Sequence, residues 1–231
     1  MSSSARGREV TRLEAFSDGV FALSATLLVV SLEVPRTFPQ MLDELHGFVA
    51  FGLSFAALIY IWSVHNGFFR RFGLQDGMTI VLNGCLLFVV LFYVYPLKFV
   101  AKGFAQSVLG VGGDGGQLVT NLDDMARLFM LYGGGWAAAF LCVVLLYRHA
   151  VSRRAALQLS PQDEREARFL SHHYMIMGGV ALLSVLLAWL RIGLNLGMPG
   201  WIYALLGPLC TWHGMRNPDK EQPRAETAAP P

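Results

Sequence analysis

Apolar residues in this chain gather into runs that are too long for the buried stripe of a soluble helix. The first lies between Thr11 and Pro35, reading TRLEAFSDGVFALSATLLVVSLEVP. Thr11 and Glu14 form a capping-box pattern ahead of it, which predicts a helix start. Pro35 predicts its end, because the residue before a proline is pushed out of helical geometry. A second run, His46 to Phe69, holds no Asp, Glu, Lys or Arg and is long enough to span a bilayer, which takes about 20 residues. Arg70 and Arg71 close it. A third run goes from Met78 to Pro96, a fourth from Leu128 to Tyr147 and a fifth from Phe169 to Leu190. The sixth, Ile192 to Met215, is interrupted by Pro199 and Pro208, which places its start near Pro199. Between the runs lie a polar link with Pro39 (Arg36 to Leu45), a turn (Gly73 to Gly77) and a glycine-rich loop (GVGGDGG, Gly110 to Gly116). A charged link before the fifth run ends in Ser160, Pro161 and Asp163, the marks of a helix start. The pattern predicts an all-α membrane protein with six transmembrane helices over residues 11–215. Polar tails at 1–10 and 216–231 are predicted to be disordered.

The first run differs from the others. Only 14 uncharged residues separate Asp18 from Glu33, fewer than a span requires. One or both acids therefore sit near the membrane boundary, where an ionisable side chain faces a partner or water rather than lipid. Helical spacing puts Leu23, Thr26, Leu27 and Val30 on one stripe, extended inward by Phe16 and Gly19 and outward by Glu33. Asp18, Ala22, Ala25 and Val29 form a second face, whose small residues allow close helix packing in lipid. Spacing alone leaves open whether the first stripe meets lipid, protein or water.

Composition turns the runs into a membrane assignment. The 231 residues are 54% hydrophobic and 15% charged, with a mean hydropathy of +0.47, against about 25% charge in a soluble domain. A net charge of +2 gives no reason to expect a nucleic-acid partner. A cleaved signal peptide is disfavoured, because Asp18 falls where its apolar region should begin and no small-x-small site follows. Cys85, Cys142 and Cys210 all lie inside apolar runs and read as small buried hydrophobes. With the N-terminus inside, 13 of the 18 lysines and arginines fall on the cytoplasmic side and 5 outside. Both termini are therefore expected in the cytoplasm of a bacterial-type cell, with the chain multi-pass in the inner (plasma) membrane. Asp18 is then near the inner face and Glu33 near the outer.

Candidate chemistry is sparse. Trp62, His65 and Asn66 share a face at the inner end of the second run, and Asn83 lies in the third. Polar groups in lipid need partners, and Arg12, Ser17 and Asp18 are the candidates across the helices. Such a cluster can be a structural knot, or a proton or ion site, since histidine titrates near neutral pH. His172 and His173 point about 100° apart on a helix and make a poor chelate. The glycine-rich loop lacks the Gly-Lys-Ser/Thr of a phosphate loop, and neither a nucleophile elbow, an HExxH motif nor a two-cysteine metal spacing occurs. An enzyme using Asp18 and His65 as acid and base would lack a nucleophile to complete the set. A TVGYG-type filter is absent as well.

Arg12-x-x-x-Phe16-Ser17-Asp18-Gly19, followed by an apolar helix carrying Thr26, resembles the signature of the transmembrane protein 175 family of potassium channels. Trp62, His65 and Asn83 extend the match, which weakens after Pro96. The resemblance implies a potassium-permeable cation channel of six spans per subunit, assembled as a homotetramer in lipid. K+ would be the permeant ion, with no cofactor and no re-entrant filter. The first helix would line the pore, with a hydrophobic constriction at Leu23 and further lining by Thr26, Leu27 and Val30. Glu33 would ring the outer mouth. Arg12, Phe16, Ser17, Asp18, Trp62, His65 and Asn83 would form an inner polar network. A proton-conducting channel or a membrane-embedded enzyme, through Asp18 and His65, is the alternative. Leu stands where Ile is expected at the constriction, and Ser24 where a small apolar residue is usual. Those departures bear on selectivity rather than architecture.

Overall fold

The computed structural model describes residues 10–30, 37–109 and 121–216. Among them the chain is entirely helical, without a strand. Helix α1 is Arg12–Val30, α2 Phe38–Phe72, α3 Gly77–Leu109, α4 Leu122–Ser152 and α5 Pro161–Trp189. A 3-10 turn at Leu194–Leu196 leads to α6 (Met198–Trp201), a second 3-10 segment (Ile202–Leu205) and α7 (Leu206–Met215). Five stretches are long and apolar enough to cross a membrane: Arg12–Val30, Phe48–Phe72, Gly77–Leu97, Leu122–Ser152 and Pro161–Trp189.

Local chemistry sets the ends. The Thr11 N–H donates to Glu14 Oε2 at 2.8 Å and the Glu14 N–H to Thr11 Oγ1 at 3.2 Å, which closes the capping box of α1. Ser160 and Asp163 do the same for α5, with Pro161 in its first turn. Three boundaries differ from expectation. Most of the polar link from Arg36 to Leu45 is the first turns of α2, because Pro39 falls where a missing N–H costs nothing. Pro96 lies inside α3 instead of ending it. Helix α4 starts at Leu122 rather than near Leu128, because Asn121 caps it by accepting the Asp124 N–H at 2.8 Å. In the last apolar run Pro199 opens α6, and Pro208 is the third residue of α7 just after the 3-10 segment, so neither proline interrupts a regular α-helix deep in its interior. Glu33, the loop Gly110 to Gly116 and nearly all of both expected tails fall outside the described residues.

The core sits between α4 and α5, the most extensive helix pair, and passes through α3 and α2. Glycines allow the close approach. A Cβ on Gly133 would stand 2.7 Å from Val185 Cγ2 and 3.0 Å from the Ala181 carbonyl, and one on Gly135 would strike the Tyr93 ring at 2.3 Å. Buried rings fill the rest: Phe140 packs on Trp136 at 5.0 Å between centroids, and Tyr147 lies edge-on to Phe68 at 5.2 Å. One end of the bundle is tied by cross-links. Arg71 on α2 pairs with Glu166 on α5, Asp76 before α3 pairs with His149 on α4, and His213 on α7 stacks on Phe169 of α5. Helix α1 packs chiefly on α2 and α3.

Candidate functional site

The buried side chains of α1 are Ser17, Phe21, Ser24 and Leu28, at spacings of four, three and four residues. They define one narrow face, which seats the helix against α2 and α3. The remaining surface is open. Phe16, Leu23, Thr26, Val29 and Val30 are exposed and Leu27 is half-buried. Leu23 is 52% exposed and Val30 71%, whereas Leu28 is 0%. For a helix this apolar, so broad an open arc leaves its lateral packing unfinished in one subunit. Thr26 is exposed, and its hydroxyl donates to the Ala22 carbonyl one turn back at 2.9 Å.

At the N-terminal end of α1 the polar residues separate into two groups. In the first, the Ser17 hydroxyl donates to the Leu13 carbonyl at 2.8 Å. Its oxygen accepts from Asn83 Nδ2 at 2.9 Å, and Asn83 Oδ1 lies 2.8 Å from His65 Nε2. The directions are mutually fixed. Ser17 spends its only proton on Leu13, so Asn83 must present its amide N–H to Ser17 and its oxygen to His65. His65 therefore carries its proton on Nε2. Its Nδ1 is buried without a partner, and the ring is boxed by Phe21 and Phe69 at centroid distances of 5.4 and 4.6 Å. All three residues are buried. The chain pins α1 to α3 and α3 to α2.

The second group is a single bond: Trp62 Nε1 donates to Asp18 Oδ1 at 2.8 Å on the exposed side of α1. Asp18 and His65 thus have different partners. Arg12 and Phe16 are exposed and join neither group, since their positions on α1 face away from α2 and α3.

Sequence reasoning passed over a third site. Asp76 caps α3, accepting from the Thr79 N–H at 2.9 Å and the Thr79 hydroxyl at 2.7 Å. Its other oxygen meets His149 Nε2 at 2.7 Å and Arg153 Nε at 3.3 Å. Partial burial pushes the Asp76 carboxyl up, but the Thr79 and His149 hydrogen bonds outweigh it and hold the group well below the usual carboxylate range. Asp-x-x-Thr ahead of an apolar run was the legible signal. Among the described residues, three or more His, Cys, Asp or Glu side chains nowhere gather as a metal site would require.

Comparison with known proteins places this geometry. Residues 12–93 match a family profile described as the endosomal/lysosomal potassium channel TMEM175. A potassium channel of Marivirga tractuosa is 35% identical over 216 residues, covering 88% of this chain and 86% of the relative. A potassium channel of Chamaesiphon minutus is 26% identical over 198 residues, covering 82% and 89%. A crystal structure of the potassium channel MtTMEM175, a point variant in complex with a nanobody–MBP fusion, superposes with a TM-score of 0.81 at 33% identity, covering 91% of this chain and 94% of that one.

Proposed function

Because the chain belongs to the TMEM175 family of potassium channels, we propose that it is itself a potassium-permeable cation channel, a homotetramer whose pore is lined by α1. The observation that supports this reading is the open arc of α1, whose buried side chains are confined to one narrow face. One copy of a helix cannot enclose a path, whereas four copies around a symmetry axis can. On that arrangement Leu23, Thr26, Leu27 and Val30 line the path, and Glu33 rings its outer mouth. Leucine has no oxygen to replace the water around an ion, so a ring of four Leu23 side chains resists ions by dewetting and limits flux without a re-entrant filter. The bonds of Ser17 to Asn83 and of Asn83 to His65 set the rotation of α1 and so keep Leu23 on the open side.

The remaining topology follows. Residues 198–215 form the sixth span: 14 residues in α-helix and 4 in 3-10 helix together rise about 29 Å, close to the hydrocarbon thickness. The arginine-rich end is cytoplasmic and carries both termini, in the plasma membrane. Residues 11–215 are the channel domain and the two polar tails are extensions of it. The permeant ion is K+ and no cofactor takes part. An enzyme or proton path through Asp18 and His65 is the weaker reading, because one bonds Trp62 while the other is boxed by phenylalanines and bonds Asn83.

Flux from purified protein in liposomes, measured separately for potassium, sodium and protons, tests the proposal. Potassium flux above that of empty liposomes is expected. Proton flux without potassium flux would favour the weaker reading.

A further inference from the structure

Several arginines at the cross-linked end of the bundle are held by acids, and two others stand on outward surfaces. Arg71, Arg153, Arg154 and Arg168 each meet an acid: Glu166, Asp76, Glu164 and Glu164 respectively. Arg148 and Arg216 are exposed and have no acidic partner among the described residues. Their positions are specific. On α4 the exposed residues Leu131, Gly134, Leu141 and Leu145 form one outward stripe, and Arg148 is its next step. On α7 Trp212 is 51% exposed and the Arg216 guanidinium lies 3.7 Å from its ring centroid. The stacking of His213 on Phe169, near the start of α5, puts Arg216 at the same end as Arg148.

We infer that Arg148 and Arg216, with Trp212, bind the phosphate groups of anionic phospholipid in the inner leaflet. An outward apolar stripe is where acyl chains lie, so the arginine at its foot stands at head-group depth. A tryptophan beside an arginine is suited to the same depth, the ring in the interface and the cation toward phosphate. The paired arginines already meet a carboxylate within the protein, Arg154 and Arg168 sharing Glu164. Arg148 and Arg216 meet no acid among the described residues, and a lipid phosphate supplies a counter-charge without desolvating a protein carboxylate. The inference rests on the membrane orientation proposed above, but not on conduction.

The test uses the full chain, purified in neutral detergent and titrated with phosphatidylglycerol or with phosphatidylcholine of the same acyl chains. Bound lipid is counted by native mass spectrometry, with no ion flux measured, so a failure here leaves the channel reading untouched. Phosphatidylglycerol should be retained in preference to phosphatidylcholine. An arginine near an anionic surface contributes about fivefold in affinity, so Arg148→Gln combined with Arg216→Gln should reduce that preference by about 25-fold at low salt. Equal retention of the two lipids by the wild type, or an undiminished preference in the double variant, would overturn the inference. So would full competition by water-soluble glycerol phosphate at the lipid's own concentration, which would assign the site to free phosphate. Should the double variant not purify, salt decides on the wild type: retention must fall steeply as salt rises, and retention that ignores salt rejects the proposal.

Discussion

Helix α4 is sunk between α5 and α3 and leaves one outward stripe, while α1 buries only one narrow face. The two regions are made of similar residues, so hydrophobicity does not separate them. What differs is the shape of the fit. The α4–α5 pair uses glycine to bring backbones close and aromatic rings to fill what remains, so the contact between these two helices is complete within one subunit. Helix α1 places Ser17, Phe21, Ser24 and Leu28 inside and leaves Leu23, Thr26 and Val30 outside. On the proposed function, the less covered element is where a second copy or an ion path belongs.

The largest expected effect lies in the scaffold. Phe140 is 1% exposed and packs on Trp136, Tyr60 and Tyr174. Phe140→Ala leaves a cavity walled by rings that cannot collapse into it, and should cost about 3–5 kcal/mol. A thermal melt of the purified protein measures this. A wild-type melting temperature would break the contrast at its strong end.

Next comes a pair of substitutions within α1. Leu28 is fully buried and Leu23 is not. Leu28→Ser should cost about 2–3 kcal/mol in lost burial. The polar penalty is relieved because a helical serine can bond the carbonyl one turn back, as Ser17 and Ser24 do. Leu23→Ser should leave the melting temperature nearly unchanged, raise single-channel conductance and shift the sodium-to-potassium permeability ratio. If Leu23→Ser folds normally and changes neither quantity, Leu23 does not meet the ion path.

Much of this contrast was legible in the sequence. The six runs, the capping boxes at Thr11 and Ser160 and the shortness of the uncharged stretch in the first run needed only spacing and residue chemistry. The rotation of each helix did not follow from spacing. Ser17, His65 and Asn83 could be read as polar groups in need of partners, but which met which depended on how α2 and α3 turn toward α1. Arg12 lies one and a half turns from Asp18 in sequence, yet the two are on different parts of the helix surface. Pro39 and Pro96 misled for another reason. A proline is a strong stop only where an N–H is required, and a long helix packed on its neighbours tolerates one.

The tie between the turn before α3 and the end of α4 lies within the scaffold and anchors α3, on which α1 packs. Asp76 is held ionised below the usual carboxylate range, so its contribution is present above the unfolded value and lost as pH falls through the folded one. Asp76→Asn keeps an oxygen for the Thr79 N–H but removes the charge facing His149 and Arg153. It should lower the melting temperature at neutral pH. The gap from wild type should shrink below about pH 4, where Asp76 of the unfolded chain takes up a proton that the folded carboxylate still resists. A gap that persists undiminished far below about pH 4 would mean that the charge is not what the site uses.

The smallest effect is expected at Asp18. Within one subunit its described partner is the Trp62 indole N–H at 2.8 Å, on the open side of α1. Polar contacts between membrane helices average about 0.6 kcal/mol and reach about 1.7, so Asp18→Ala should only modestly loosen α1 from α2. In a tetramer the loosening occurs four times, next to the surface where subunits meet. Assembly should therefore suffer before selectivity does: the tetrameric fraction in detergent falls while the sodium-to-potassium permeability ratio of the surviving channels stays at the wild-type value. A cycle with Trp62→Phe separates this bond from a general effect of the acid. If the bond is the unit, either single substitution removes it, and the double variant should lose little more than the larger of the two. Additive losses would mean that Asp18 acts on another partner, in the next subunit. A change in permeability ratio with the tetramer intact would place the carboxylate on the ion path instead and would move the boundary between the two regions to the near side of Asp18.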